Sequence, residues 1–151
     1  IIKLAVVERH ANTGHIGLSY MKGYGLKKGA IASSVSHDSH NVIVAGTNEA
    51  DMCLAVNTIS SMQGGIAVVC DGKVLDKLPL PIAGLMSELN VTCLAEKIDR
   101  LKTMARELGV PDDIDPFMTL AFISLPVIPK LKLSTLGLVD TVRQEIVEIF
   151  I

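Results

Sequence analysis

The sequence predicts an α+β (or α/β) fold: a single domain over residues 1–151, with a mixed β-sheet, two principal helices and an Asp-Gly β-hairpin. Three observations carry this. Short apolar runs rich in β-branched residues alternate with two segments of helical period. Asp71-Gly72 lies between two strand-like runs, and that dipeptide suits a turn in which both central residues need positive φ. The 151 residues are 49% hydrophobic and 20% charged, enough for one buried core and too apolar for a disordered chain.

Ile1 to Glu8 reads as a strand. Arg9 to Gly29 holds Gly14, Gly17, Gly23, Gly25 and Gly29, too many for a helix interior, and reads as a structured loop or a strand with bulges. Ala30 to Ser36 and Asn41 to Gly46 are short strands flanking the polar cluster Ser36-His37-Asp38-Ser39-His40. From Asn48 the period changes. Met52, Ala55, Val56, Ile59 and Met62 share a helical face, with Thr47 or Asn48 as cap and Gly64-Gly65 as the stop. Ile66 to Cys70 and Lys73 to Leu78 form the predicted hairpin. Leu94, Ile98, Leu101, Ala105 and Leu108 mark a second, amphipathic helix closed by Gly109 and Pro111. Phe117 to Val127 is apolar throughout and reads as a central strand. The β-branched run Ile146 to Ile151 favours a last strand over a helical turn.

Charge and composition exclude several functions. Fourteen Lys and Arg against sixteen Asp and Glu leave no basic excess, and aromatic residues are only 3%, so nucleic acid is not an expected partner. The longest apolar run, Phe117 to Pro129, carries two prolines and falls short of the roughly 20 residues a membrane span needs. Cys53, Cys70 and Cys93 sit in apolar periodic contexts, as buried free thiols of a reducing compartment do. The opening Ile1-Ile2-Lys3, inside a strand-like run, reads as a piece of something longer.

All four histidines fall within the first 40 residues: His10, His15, His37 and His40. His37 and His40 share a segment with Asp38 and Asn41, which offers several metal-ligand types. Neither Cys nor a nearby Glu completes a three-ligand site, although Glu8 or His10 could arrive through folding. Three readings stay open: a loop whose side chains bond backbone, a metal role for His37 and His40, and a ligand-facing role. Ser36-His37-Asp38 is not a triad, because adjacent side chains in an extended chain point to opposite faces. Gly14-x-x-Gly17 and Gly23-x-Gly25 match neither a phosphate loop nor a dinucleotide fingerprint.

Longer stretches carry more. Gly23-Tyr24-Gly25-Leu26-Lys27-Lys28-Gly29-Ala30-Ile31-Ala32-Ser33-Ser34 runs into Ser36-His37-Asp38-Ser39-His40-Asn41, followed by Gly46-Thr47-Asn48. Leu78-Pro79-Leu80-Pro81-Ile82-Ala83-Gly84-Leu85-Met86-Ser87, Phe117-Met118-Thr119-Leu120, Leu125-Pro126-Val127-Ile128-Pro129 and Gly137-Leu138-Val139-Asp140 complete the set. In this order they resemble the C-terminal domain of bacterial and archaeal adenine deaminases, of the amidohydrolase superfamily. The segment after Ser87 and the residues from Thr141 match least, and nothing functional is placed there.

The resemblance implies a parent hydrolase acting on a cyclic amidine C–N bond. It would convert adenine to hypoxanthine and ammonia in cytoplasmic purine salvage, on a binuclear manganese or iron centre. That centre would occupy a separate upstream barrel of the same polypeptide, and a barrel needs about 250 residues. The superfamily's His-x-His motif occurs nowhere in this chain, so no catalytic residue or cofactor is assigned to it. The resemblance implies a non-catalytic accessory domain, in an enzyme expected to be a homo-oligomer. His37, Asp38, His40 and Asn41 are candidate residues of an interface or of the active-site mouth. The alternative is an independent small-molecule or metal-binding module.

Overall fold

A computed structural model of the chain describes residues 1–149. Strand β1 (Ile2–Val7) is followed by β2 (Ile16–Met21), β3 (Ala30–Ser33) and β4 (Val42–Gly46). Helix α1 (Glu49–Ser61) leads to β5 (Gly65–Cys70) and β6 (Lys73–Pro79), and these six strands form one sheet in the order β2-β1-β4-β3-β5-β6. Every neighbouring pair is antiparallel. The fold is α+β, and the expected mixed pairing is corrected to an antiparallel one. The connections explain this: Asp71-Gly72 is too short for anything but a hairpin, and among the described residues no strand follows its neighbour in the sheet through a helical crossover in the same direction.

The central strands β4, β3 and β5 are buried on both faces, and their residues divide between two cores. Ala30, Ala32, Val42, Val44, Ala67 and Val69 face α1, meeting Met52, Ala55 and Ile59. The small alanine side chains let the helix approach closely. Ile31, Ile43, Ile66 and Val68 point the other way, towards larger side chains. Asn48 caps α1 by accepting from the Asp51 N–H at 2.8 Å. The Asp51 carboxylate, buried in turn, accepts from the N–H groups of Gly72 at 2.8 Å and Asp71 at 3.2 Å. Burial alone would raise its pKa, but these bonds and one from Asn48 hold it below the usual carboxylate value. Helix start and hairpin turn are thereby tied together.

The opposite face carries α2 (Val91–Glu107), α3 (Pro116–Ile123) and a small antiparallel sheet of β7 (Leu131–Ser134), β8 (Gly137–Asp140) and β9 (Glu145–Val147). The expected face of α2 is the one used: Leu101, Ala105 and Leu108 are buried, with Leu94 and Ile98 packed beside them. Lys97 and Arg100 pair with the buried Asp76 of β6, which fixes the rotation of the helix. Residues 117–127, expected as a central strand, are corrected to α3 and the turn after it. Asp115 caps Phe117 and Met118 at 3.0 and 2.9 Å, and Pro116 occupies the first turn, where its missing N–H costs nothing. Phe117, Leu120, Ala121 and Ser124 then recur at helical spacing on the buried side. The expected last strand is β9; Phe150 and Ile151 lie outside the described residues. Only Cys70 of the three thiols is buried; Cys53 and Cys93 are exposed, contrary to expectation.

Candidate functional site

One end of the large sheet gathers the chemistry. The antiparallel order brings together the exit of β1, the entry of β2, the exit of β3, the entry of β4, the exit of α1 and the exit of β6. The loops there are residues 8–15, 34–41, 62–64 and 80–87, so all four histidines lie at this end. Sequence order alone could not place His10 against the Ser39 carbonyl.

The segment around residues 36–41 is held from beneath. Ser36 is fully buried and its Oγ lies 2.5 Å from Ser124 Oγ at the end of α3. The His37 N–H donates to Ala121 O at 3.1 Å, and Ser124 Oγ donates to His37 O at 3.3 Å. The His37 ring stacks on Phe122 at a centroid distance of 5.4 Å and 20° between planes. Asn41 is buried, and its Oδ1 accepts from the Arg9 N–H at 3.3 Å.

Arg9 is the residue that sequence reading missed. Its Nε donates to His40 O at 2.6 Å, Nη2 to Ala83 O at 2.6 Å and Nη1 to Gln63 O at 3.4 Å. One planar guanidinium thus joins three loops that lie up to 74 residues from Arg9 in the sequence. It lies so close over Gly84 (φ +76°) that a Cβ there would sit 2.4 Å from Nη2. No spacing rule finds such a residue, because its partners are backbone carbonyls.

Glu8 does not join the histidines. Its carboxylate accepts from the N–H groups of Ala11 at 2.7 Å, Thr13 at 3.1 Å and His10. Those bonds, Ala11's first, lower its pKa to about 2. His10 does arrive: its Nε2 lies 2.7 Å from Ser39 O. His15 is exposed at the entry of β2.

The outward side of the loop is different. The Asp38 side chain is 87% exposed, and its Oδ1 lies 4.0 Å from His37 Nδ1. The His37 side chain is 40% exposed. The His37 and His40 rings stand 6.2 Å apart, and His40 Nδ1 is buried without a hydrogen-bond partner among the described residues. Among those residues no three His, Cys, Asp or Glu side chains gather to hold a metal ion. The donor set therefore does not fit a binuclear centre. Backbone pinned on one side, with Asp38 and part of His37 exposed on the other, makes a presenting loop, able to donate and accept hydrogen bonds towards an approaching surface.

Comparison with known proteins assigns the chain to a family. The family model described as "Adenine deaminase C-terminal domain" matches residues 1–145. Adenine deaminase 2 of Carboxydothermus hydrogenoformans is 56% identical over 140 residues, covering 93% of this chain and 25% of that protein. The adenine deaminase of Desulfatibacillum aliphaticivorans is 51% identical over 150 residues, 99% of this chain and 26% of the relative. That of Clostridium botulinum is 47% identical over 151 residues, 100% of this chain and 25% of the relative. The chain thus spans about a quarter of the length of these relatives. The match over residues 1–145 and the three relatives agree: this chain belongs to the adenine deaminase C-terminal domain family.

Proposed function

We propose that this chain is the C-terminal domain of an adenine deaminase, and that its polar end faces the catalytic part of the same polypeptide. The parent enzyme would hydrolyse adenine to hypoxanthine and ammonia, acting in cytoplasmic purine salvage. Its divalent metal centre, of manganese or iron, would lie in an upstream barrel. The domain itself is accessory: it contributes no metal ligand and presents His37, Asp38, His40 and Asn41 at the interface or the mouth of the active site.

The single observation that carries this reading is the asymmetry of the 36–41 loop. The His37 N–H bond to Ala121 O, the Ser124 Oγ bond to His37 O and the Arg9 guanidinium fix its backbone, while Asp38 is left in solvent. A surface turn needs no such bracing. Groups that must meet a partner at fixed positions do, because a pre-ordered loop loses less entropy on docking.

The test is adenine turnover by the full-length polypeptide and by the 151-residue chain alone. The reading expects ammonia release from the first and none from the second. Turnover by the isolated chain, or none by the full-length protein loaded with manganese or iron, would overturn it.

A further inference from the structure

Strand β2 is inverted from Ile16 to Ser19, before Met21 returns to the core. An edge strand with one face on the core is expected to alternate apolar inward and polar outward. Here the inward residues include Gly17 and Ser19, while Ile16 and Leu18 point outward at 54% and 58% exposure. The inward choice has a local cause. The small sheet presses on β2 so closely that a Cβ on Gly17 would stand 1.8 Å from Ser134 O. The outward choice has no such cause within the described residues.

The outward face belongs to an unfinished layer. Among the described residues helix α1 is the one helix on that side of the sheet, and its buried residues meet Ala30, Ala32, Val42, Val44, Ala67 and Val69 of β3, β4 and β5. Over β1 and β2 it leaves a trough of about 370 Å³, lined by Val7, Ile16, Leu18, Met52, Cys53 and Val56. The rim is polar, with Glu49 at one end and Asn57 at the other. Sheet faces of this apolar character are covered in stable domains.

We propose that this trough is the docking site of the polypeptide that precedes the domain, and that one convex apolar element of that part seats between β2 and α1. The inference rests on the proposed reading of the chain as part of a longer deaminase. The family's relatives are about four times as long, and their match to a C-terminal domain puts the additional chain ahead of β1. It enters beside the trough: Ile2 pairs with Met21 and Val7 with Ile16, so the entry point is one strand length, about 20 Å, from the far end. A tethered element at that distance has a high effective concentration. A second copy fits less well, because two identical concave troughs facing across a two-fold axis leave a void where a ridge is needed.

Two native thiols make the test. Cys53 lies in the trough, and Cys93 is exposed at the start of α2 on the opposite side of the sheet. In the full-length enzyme, alkylation of each is followed by peptide mass spectrometry and compared with the same thiol in urea. The expected result is that Cys53 reacts at least about tenfold more slowly in the native enzyme than in urea, because labelling must wait for undocking. Leu18→Asp, at an exposed position, is expected to return Cys53 to within about twofold of its unfolded rate while Cys93 stays unchanged. Native Cys53 reacting as fast as in urea, in an enzyme that deaminates adenine, would overturn the docking site and leave the functional reading intact. Protection that disappears on dilution of the full-length enzyme would assign the trough to a second copy and overturn the proposed occupant.

Discussion

Replacing Arg9 with methionine keeps the apolar stem and removes the guanidinium that joins the 36–41, 62–64 and 80–87 loops. Two of its three carbonyl bonds are short, both 2.6 Å, and the third is long at 3.4 Å. Hydrogen bonds from a charged donor contribute about 1.5–3 kcal/mol each, so the two short ones set an upper figure of about 6 kcal/mol. Water reaches the exposed carbonyl of Ala83 and replaces part of this, leaving about 2–3 kcal/mol. For a domain of this size each kcal/mol moves the melting temperature by about 2–4 °C, so Arg9→Met should melt roughly 4–12 °C lower. Calorimetry reads that shift, and amide hydrogen exchange reads its location. Exchange of Arg9, His40 and Leu85 should accelerate, while that of β3 and β5 tracks only the global change. Arg9→Lys keeps the charge but not the fork, and should recover less than half the loss. Melting within about 1 °C of the parent, with no acceleration in the loops, would refute the clamp.

Other outcomes follow from the buried polar groups. Asp51→Ala should lower stability at neutral pH by about 1–3 kcal/mol in urea titrations, since the Asp71 and Gly72 N–H groups lose their acceptor. The Asp51 pKa is held below its unfolded value, so its contribution is present above about pH 4 and is lost as pH falls through the folded value. The deficit of the variant should shrink over that range. Tyr24 is 2% exposed and donates to Pro116 O at 2.8 Å; burial, and next the Asp115 charge, push its pKa far up. Its contribution is complete below about pH 10 and declines above it, so tyrosinate absorbance from Tyr24 should appear together with unfolding in an alkaline titration. Gly17→Ala should expel β7 and β8 from β2, seen as selective proteolysis of residues 131–147 before the large sheet opens.

The elements that the sequence made legible are those whose burial is one-sided. Helix α2 has a wet face and a dry one, so its period survives in the residue pattern. The Asp71-Gly72 hairpin is local, and both residues take the positive φ that the dipeptide implies. Phe117 to Ile123 was opaque because nearly every residue is apolar, which erases the period; the cap Asp115-Pro116 was the better signal. Strand β2 was hidden because its alternation answers to the small sheet on one side and to the trough on the other. Strands β7 and β8 were not anticipated at all: each is four residues long and only partly buried. In the candidate site, the density of polar groups from Ser36 to Asn41 was plain in the sequence. Its supports were not, because Arg9, Ala121 and Ser124 reach it only through tertiary contacts.

The claim that the polar end of this domain serves the catalytic part of a deaminase is tested most directly by His37→Ala and Asp38→Ala in the full-length enzyme. Steady-state adenine turnover is measured beside metal content and melting temperature. The account predicts that kcat/KM falls at least about tenfold, roughly 1.4 kcal/mol of lost transition-state stabilisation, while melting stays within about 2 °C. Unchanged turnover, metal content and melting in both variants would make the loop a surface turn and contradict the account.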